Sequence, residues 1–104
     1  MTLREKQSLF VRCVVQLLRY ANDQGYEITF GDAYRDPKHY GHPKSCHAKR
    51  LAIDLNLFKD GKYLVRNEDH RPLGEYWETL HPLCRWGGRF GDGNHYSLEH
   101  EGIC

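Results

Sequence analysis

Two short stretches of this sequence contain residue types that commonly bind metal ions. The first, Ser45–Asp54, places His47 seven residues before an aspartate. The second begins at Asp92 and places a histidine, His95, three residues later. Imidazole nitrogens and carboxylate oxygens are ligands that zinc takes in proteins. Each stretch alone is equally compatible with a surface histidine near an unrelated aspartate, so only the two stretches together indicate a metal site.

Together the two stretches supply the ligand set of a catalytic zinc site. Such a site uses three protein ligands and keeps a fourth position open for water, and His47, Asp54 and His95 provide that number. Asp92 would then be a nearby carboxylate that does not bind the metal, as a general base for the attacking water requires. Cys46 is a weaker candidate for a nucleophile or a fourth ligand, because a closed four-ligand site leaves no place for water.

The first stretch runs into a predicted β-strand, Leu51–Phe58. Alternation along this strand puts the leucines and Ile53 on one face, and puts Asp54 beside the small Ala52 on the other. The apolar face predicts contact with a core. His47, in the preceding loop, could bend back towards the face that carries Asp54.

The elements before this strand have their own signals. A capping box at Thr2-Leu3-Arg4-Glu5 predicts the start of a helix, and Gly25 predicts its end. A second strand is predicted over Tyr26–Arg35. The guanidinium of Arg35 could polarise a carbonyl or bind a carboxylate, although a solvated arginine at a strand end is the simpler interpretation.

Three elements are predicted after the central strand. Asp60-Gly61 is typical of a tight hairpin, with a short return strand at Tyr63–Val65. Pro72 is predicted to open a helix, and Trp86-Gly87-Gly88 is predicted to form a turn before Asp92. The helix is expected to bury a stripe of residues at helical spacing: Leu73, Trp77, Leu80 and Cys84.

Composition narrows the class of protein. The chain has 104 residues, predicted to form one domain (1–104), and a net charge of +1, which argues against nucleic acid or an anionic membrane as the main partner. It contains no apolar run of the roughly 18 residues that span a bilayer, and no secretory signal pattern. The four cysteines have no C-x-x-C spacing, so we expect thiols in a cytoplasmic chain.

The two metal-binding stretches resemble those of the M15-type zinc peptidases. This family includes D-alanyl-D-alanine carboxypeptidases and phage endolysins that cut the L-alanyl-D-glutamate bond of peptidoglycan. Its Ser-x-His-x6-Asp element is matched by Ser45, His47 and Asp54, and its second element, an acidic residue three before a histidine, by Asp92 and His95.

Further matches and two departures complete the resemblance. A family arginine on the preceding strand is matched by Arg35, and a tryptophan-glycine stretch by Trp86-Gly87-Gly88. The family usually has glycine three residues after the first histidine, where this chain has Arg50. Either the backbone takes a conformation that a side chain permits, or Arg50 contacts substrate. The family often has glutamate where this chain has Ser97, and His100 is a rival third ligand.

The resemblance implies an α+β fold, with a small, mainly antiparallel sheet, helices on one face and a zinc cleft on the other. It implies Zn²⁺ held by the three ligands named above. Asp92 would pass a proton from water to the leaving amine, and Arg35 would stabilise the oxyanion. Ser45 would hydrogen-bond a substrate carbonyl or carboxylate.

The function expected from the resemblance is an endolysin-like zinc peptidase that hydrolyses a peptidoglycan stem peptide, with L-alanyl-D-glutamate as the expected bond. A D-Ala-D-Ala carboxypeptidase and a non-catalytic zinc module, as in Hedgehog-type relatives, remain alternatives. We expect a monomer whose partner is the stem peptide, with neither nucleic acid nor membrane. Without a signal peptide it would be made in the host bacterial cytoplasm and act on the cell wall after release.

Overall fold

The fold is α+β over the residues that the computed structural model describes, 1–34, 36 and 45–104. Two α-helices in these residues pack with a five-stranded antiparallel sheet. Arg35 lies outside the described residues. No helix in the described part of the chain is long and apolar enough to cross a membrane.

The first helix, α1 (Leu3–Asp23), begins at the predicted capping box. The Glu5 backbone N–H donates to Thr2 Oγ1 at 3.1 Å, and the Thr2 N–H donates to Glu5 Oε1 at 2.9 Å. Both bonds satisfy backbone donors that the first turn of a helix leaves without partners. The helix ends just before Gly25, which has a φ of +89°. The predicted start and end of this helix are therefore confirmed.

The sheet is built around one long central strand. Its strands are β1 (Glu27–Phe30), β2 (Ala52–Lys59), β3 (Lys62–Leu64), β4 (Cys84–Trp86) and β5 (His95–Leu98). The spatial order is β1-β2-β5-β4, and β3 also pairs with β2. Since β1 occupies one edge of β2, β5 and β3 both lie along the other edge, where β5 pairs with the first residues of β2 and β3 with its last ones. A gap therefore separates them.

A second helix, α2 (Arg71–Leu80), follows a short 3-10 turn, Asn67–His70, and packs on the sheet. Trp77 on this helix is fully buried, and its Nε1–H donates to the backbone oxygens of Arg85 (3.1 Å) and Ser97 (3.0 Å). Its ring also meets Phe10 of α1 edge to face at 5.7 Å. These contacts place both helices on one face of the sheet.

The predicted hairpin is confirmed, and the predicted central strand is confirmed with a shift of one residue. Asp60 and Gly61 connect β2 to β3 with positive φ values of 53° and 74°, as a type I′ turn requires. The alternation in β2 is also as predicted, since Ile53, Leu55 and Leu57 are buried.

Two boundaries were predicted wrongly. The strand predicted over Tyr26–Arg35 begins at Glu27 and ends at Phe30, although Gly31 and Asp32 still form backbone hydrogen bonds with Asp54. Cys84 is not part of the helical stripe: it begins β4. Pro82 explains this error, because a proline disfavours helical backbone in the residue before it, and His81 is extended with a φ of −163°.

Candidate metal centre

The pairing of β2 with β5 brings together one residue from each metal-binding stretch. Asp54 lies directly opposite His95 in the antiparallel register, and Ala52 lies opposite Ser97. Directly opposite residues project to the same face, with Cβ atoms about 4.5–5.5 Å apart. The register therefore places a carboxylate and an imidazole side by side on the face away from the helices.

A tight turn over residues 45–50 delivers the third residue. The His47 backbone N–H donates to Ser45 Oγ at 3.2 Å, and the Leu51 N–H donates to the Cys46 backbone oxygen at 2.8 Å. Arg50 takes a positive φ of 57° in this turn. Glycine enters this left-handed region without strain. The turn therefore has the backbone conformation that the family glycine would favour, although Arg50 occupies the position.

The three side chains converge on one point. The separations are 3.2 Å between His47 Nε2 and Asp54 Oδ1, 3.5 Å between His95 Nδ1 and Asp54 Oδ1, and 3.2 Å between the two imidazole nitrogens. His47 and His95 are only 2% and 5% exposed. Among the described residues, these three form a group that could hold a metal ion.

The protonation of His95 is set by its other ring nitrogen. Nε2 lies 3.0 Å from the backbone oxygen of Cys104, and since that oxygen can only accept, Nε2 carries the proton. In the neutral ring, Nδ1 is then an unprotonated acceptor that faces Asp54 and His47. Such an outer hydrogen bond is the usual way in which a protein orients a metal-binding imidazole.

Electrostatics at the group favour a bound cation. Burial alone would raise the pKa of Asp54, but the neighbouring imidazoles of His47 and His95, whenever a ring proton points towards Asp54, outweigh burial and hold this pKa well below its usual range. The carboxylate is thus ionised at neutral pH. An anionic oxygen that faces two buried imidazole nitrogens needs either protons or a cation between them, and a metal ion meets that need.

Asp92 lies on the loop that leads into β5. Its backbone oxygen accepts from the His95 N–H at 3.1 Å, and its own N–H donates to the Gly87 oxygen at 2.9 Å. A Cβ on Gly87 would collide with the Asp92 oxygen and lie only 2.7 Å from His95 Cβ, so only glycine fits there. Asp92 itself is exposed and does not belong to the group of three.

The weaker sequence candidates lie outside the group. Cys46 is buried, its thiol donates to the Ile103 oxygen at 3.0 Å, and burial raises its pKa to about 11. His100 Nδ1 accepts from Lys6 Nζ at 3.0 Å. The structure therefore brings His95, and not His100, to His47 and Asp54. The sequence analysis does not identify the Cys104 backbone oxygen as the partner of His95 Nε2. A main-chain oxygen cannot be recognised from residue type.

The comparison of this chain with protein-family models gives no match, and the comparison with curated proteins gives none either. The resemblance to the M15-type peptidases rests on the motif residues alone.

Proposed function

We propose that this protein is a zinc-dependent peptidase that hydrolyses a bond in the stem peptide of peptidoglycan. The observation that carries the proposal is the triangle of potential ligand atoms formed by His47, Asp54 and His95. Its residues are the ones that resemble the ligands of M15-type zinc peptidases, and its geometry suits zinc.

The size of the triangle supports zinc over harder cations. For zinc bonds of about 2.0–2.1 Å, two ligands at the tetrahedral angle lie about 3.3–3.4 Å apart. The three observed separations are 3.2, 3.2 and 3.5 Å. Octahedral magnesium, at about 2.0–2.1 Å, would place neighbouring ligands about 2.9 Å apart, and both magnesium and calcium prefer oxygen ligands. Two imidazoles and one carboxylate also match the three-ligand sites of zinc enzymes.

Asp92 is the residue that would move the proton. A bound zinc ion supplies Lewis acidity and lowers the pKa of water to about 7. Asp92 is exposed, and its backbone is held beside that of His95. We assign it the role of accepting the proton of the attacking water and returning it to the leaving amine.

Two other residues would handle the substrate. Ser45 Oγ accepts a hydrogen bond from the His47 backbone N–H, which leaves the hydroxyl proton available to donate to a substrate carbonyl or carboxylate. The proposal that Arg35 stabilises the oxyanion rests on the resemblance.

The test is release of new amino groups from purified peptidoglycan by zinc-loaded protein. We expect activity that a chelator abolishes and added zinc restores. Asp92→Asn should retain zinc and lose about 10²–10⁴-fold in rate, the usual worth of a general base. Asp60→Asn is the matched control: it makes the same charge change in a hairpin turn that asparagine suits, so its rate should equal that of the wild type.

The products separate the alternatives. New N-terminal glutamate indicates the L-alanyl-D-glutamate bond, whereas free D-alanine indicates a carboxypeptidase. If the wild type binds zinc but releases no amino groups, the peptidase proposal is wrong and the non-catalytic zinc module is favoured.

A further inference from the structure

A cavity of about 250 Å³ lies beside the metal centre, in the gap between β3 and β5 along the edge of β2. Asn94, which directly precedes His95, lines one side, and Asn56, two residues beyond Asp54 on the same face of β2, lines another. Asp92 also lines it. The cavity thus reaches Asp92, the proposed general base, and lies next to the strand positions of Asp54 and His95.

Besides the charged side chains of Arg66 and Asp92, the walls of this cavity offer neutral hydrogen-bonding groups. The Asn56 amide donates to Thr29 Oγ1 at 3.2 Å and accepts from the Tyr63 hydroxyl at 3.5 Å, so these contacts orient it. Asn67 also lines the cavity, and its buried Oδ1 accepts no hydrogen bond from the described residues. His70 is neutral, because burial lowers its pKa to about 4. Such walls match a ligand that carries several neutral hydroxyl or amide groups.

An aromatic surface borders the same cavity. The Tyr63 side chain is 52% exposed, and its ring stacks on Phe58 with centroids 5.1 Å apart and planes 29° apart. The stack holds the Tyr63 ring in place and leaves ring surface open. An aromatic surface beside oriented amides is suited to a ring with apolar C–H faces and a rim of hydroxyl groups.

We propose that this cavity binds a sugar ring. The inference rests on the proposed function, in which the sugar is the N-acetylated amino sugar that carries the stem peptide through its lactyl group. A free peptide segment is the rival occupant, but it would leave the exposed aromatic surface without a specific role.

Distance then restricts which bond is cut. Same-face neighbours on a strand lie about 6.6 Å apart, so the cavity at Asn56 begins about one such step from Asp54. One residue spans at most about 3.6 Å, so the first alanine and the lactyl link can bridge this separation. The bond between the fourth and fifth residues lies about four residues from the sugar, which is up to about 14 Å. An extended stem peptide attached to a sugar in this cavity therefore places the bond after the first residue at the metal centre.

The experiment compares two probes that differ only in the sugar: N-acetylmuramyl-L-alanyl-D-isoglutamine and L-alanyl-D-isoglutamine. Both are titrated into zinc-loaded Asp92→Asn protein, so that binding is measured without turnover. We expect the muramyl probe to bind at least about tenfold more tightly, as one stacking contact and one or two hydrogen bonds would provide. Backbone amide NMR shifts should change at Asn56, Tyr63 and residues 91–94.

Variants localise the effect. Tyr63→Ala should bring the affinity ratio of the two probes close to one. Tyr63→Phe keeps the aromatic ring and should retain most of the preference for the muramyl probe. Lys62 is the exposed neighbour of Tyr63, and its side chain points to the other face of the strand. Lys62→Ala should therefore leave the affinity ratio unchanged. If Tyr63→Ala does not fold, an Asn56→Ala variant that leaves the ratio unchanged would count against the site.

The outcomes distinguish this inference from the proposed function. Equal affinity for the two probes overturns the sugar site even if the wild type hydrolyses peptidoglycan. If the variant prefers the muramyl probe but the zinc-loaded wild type does not hydrolyse peptidoglycan, the sugar site is supported and the peptidase proposal is wrong. Shifts at Asn56 and Tyr63 caused equally by the sugar-free dipeptide assign the cavity to peptide and overturn the inference.

Discussion

The two faces of β5 carry two buried histidine clusters that behave in opposite ways. On one face His95, 5% exposed, joins His47 and Asp54. On the other, the strand presents Tyr96, whose hydroxyl lies 2.8 Å from Nδ1 of His70, which is 3% exposed. The two histidines are equally buried, but one faces a carboxylate and the other a phenol.

The partner, and not the depth of burial, decides what each cluster can do. Burial lowers the pKa of His70 to about 4 and raises that of Tyr96 above its usual range, so this pair is neutral at pH 7. Around Asp54 the opposite holds, because the two neighbouring imidazoles lower the pKa of the carboxyl against the effect of burial, and the carboxylate is ionised. A cluster that contains an anion attracts a cation, whereas a neutral pair only fixes the packing.

The largest effect is expected from Asp54→Asn, which removes the anion and leaves both imidazoles in place. Zinc affinity should fall by more than the roughly 10–100-fold that loss of an outer hydrogen bond to a ligand costs. The measurement is zinc binding by calorimetry, together with the rise in Tm on adding zinc, which should vanish in the variant.

The control for this prediction is His70→Asn, which alters the other cluster. Its zinc affinity should equal that of the wild type, since His70 is not part of the metal-binding group. Equal loss of zinc in both variants would show that the two faces of β5 are not independent.

A second prediction concerns pH and the neutral cluster. The folded-state pKa of His70, about 4, lies below its ordinary value of 6.5, so the unfolded chain takes up its proton first as pH falls. The stability that neutral His70 contributes is complete above pH 6.5 and is lost as pH falls from 6.5 towards 4. Between pH 7.5 and 4.5 this amounts to about 2–3 kcal/mol.

The measurement is urea unfolding of metal-free wild type and His70→Asn across this pH range. The asparagine amide can still form a hydrogen bond with the Tyr96 hydroxyl, but the amide does not titrate. The wild-type advantage in free energy of unfolding should therefore shrink by about 2–3 kcal/mol between pH 7.5 and 4.5. A gap that stays constant with pH would contradict the neutral state assigned to His70.

The smallest effect is expected in the turn that delivers His47. Arg50 has a φ of 57°, and its guanidinium lies 4.3 Å from the centre of the Tyr34 ring. Replacing Arg50 with glycine or with alanine removes this contact equally, but only glycine removes the strain that a side chain causes in a left-handed backbone. Arg50→Gly should thus be more stable than Arg50→Ala by about 0.5–1 kcal/mol. The same pair of changes at Lys49, which has no positive φ, should show the reverse order in thermal unfolding.

Local patterns in the sequence determined much of this fold. The capping box at Thr2, the alternation of β2 and the Asp60-Gly61 hairpin each depend on neighbours a few residues apart, so their physics is readable without a structure. The candidate ligands were also readable, because few residue types bind zinc and their spacing resembles a known pattern.

Other features depended on contacts between distant parts of the chain. Pro82 is a local sign that the helix ends before Cys84, but only the pairing of Cys84 with Leu98 makes it a strand residue. Nothing local could reveal that Asp54 lies opposite His95, or that the Cys104 backbone oxygen orients the His95 ring. Strand register is set by burial of a whole face, and a backbone acceptor is the same in every residue. The sequence by itself therefore determined which side chains could bind a metal ion, and only the tertiary structure decided that they meet within 3.5 Å.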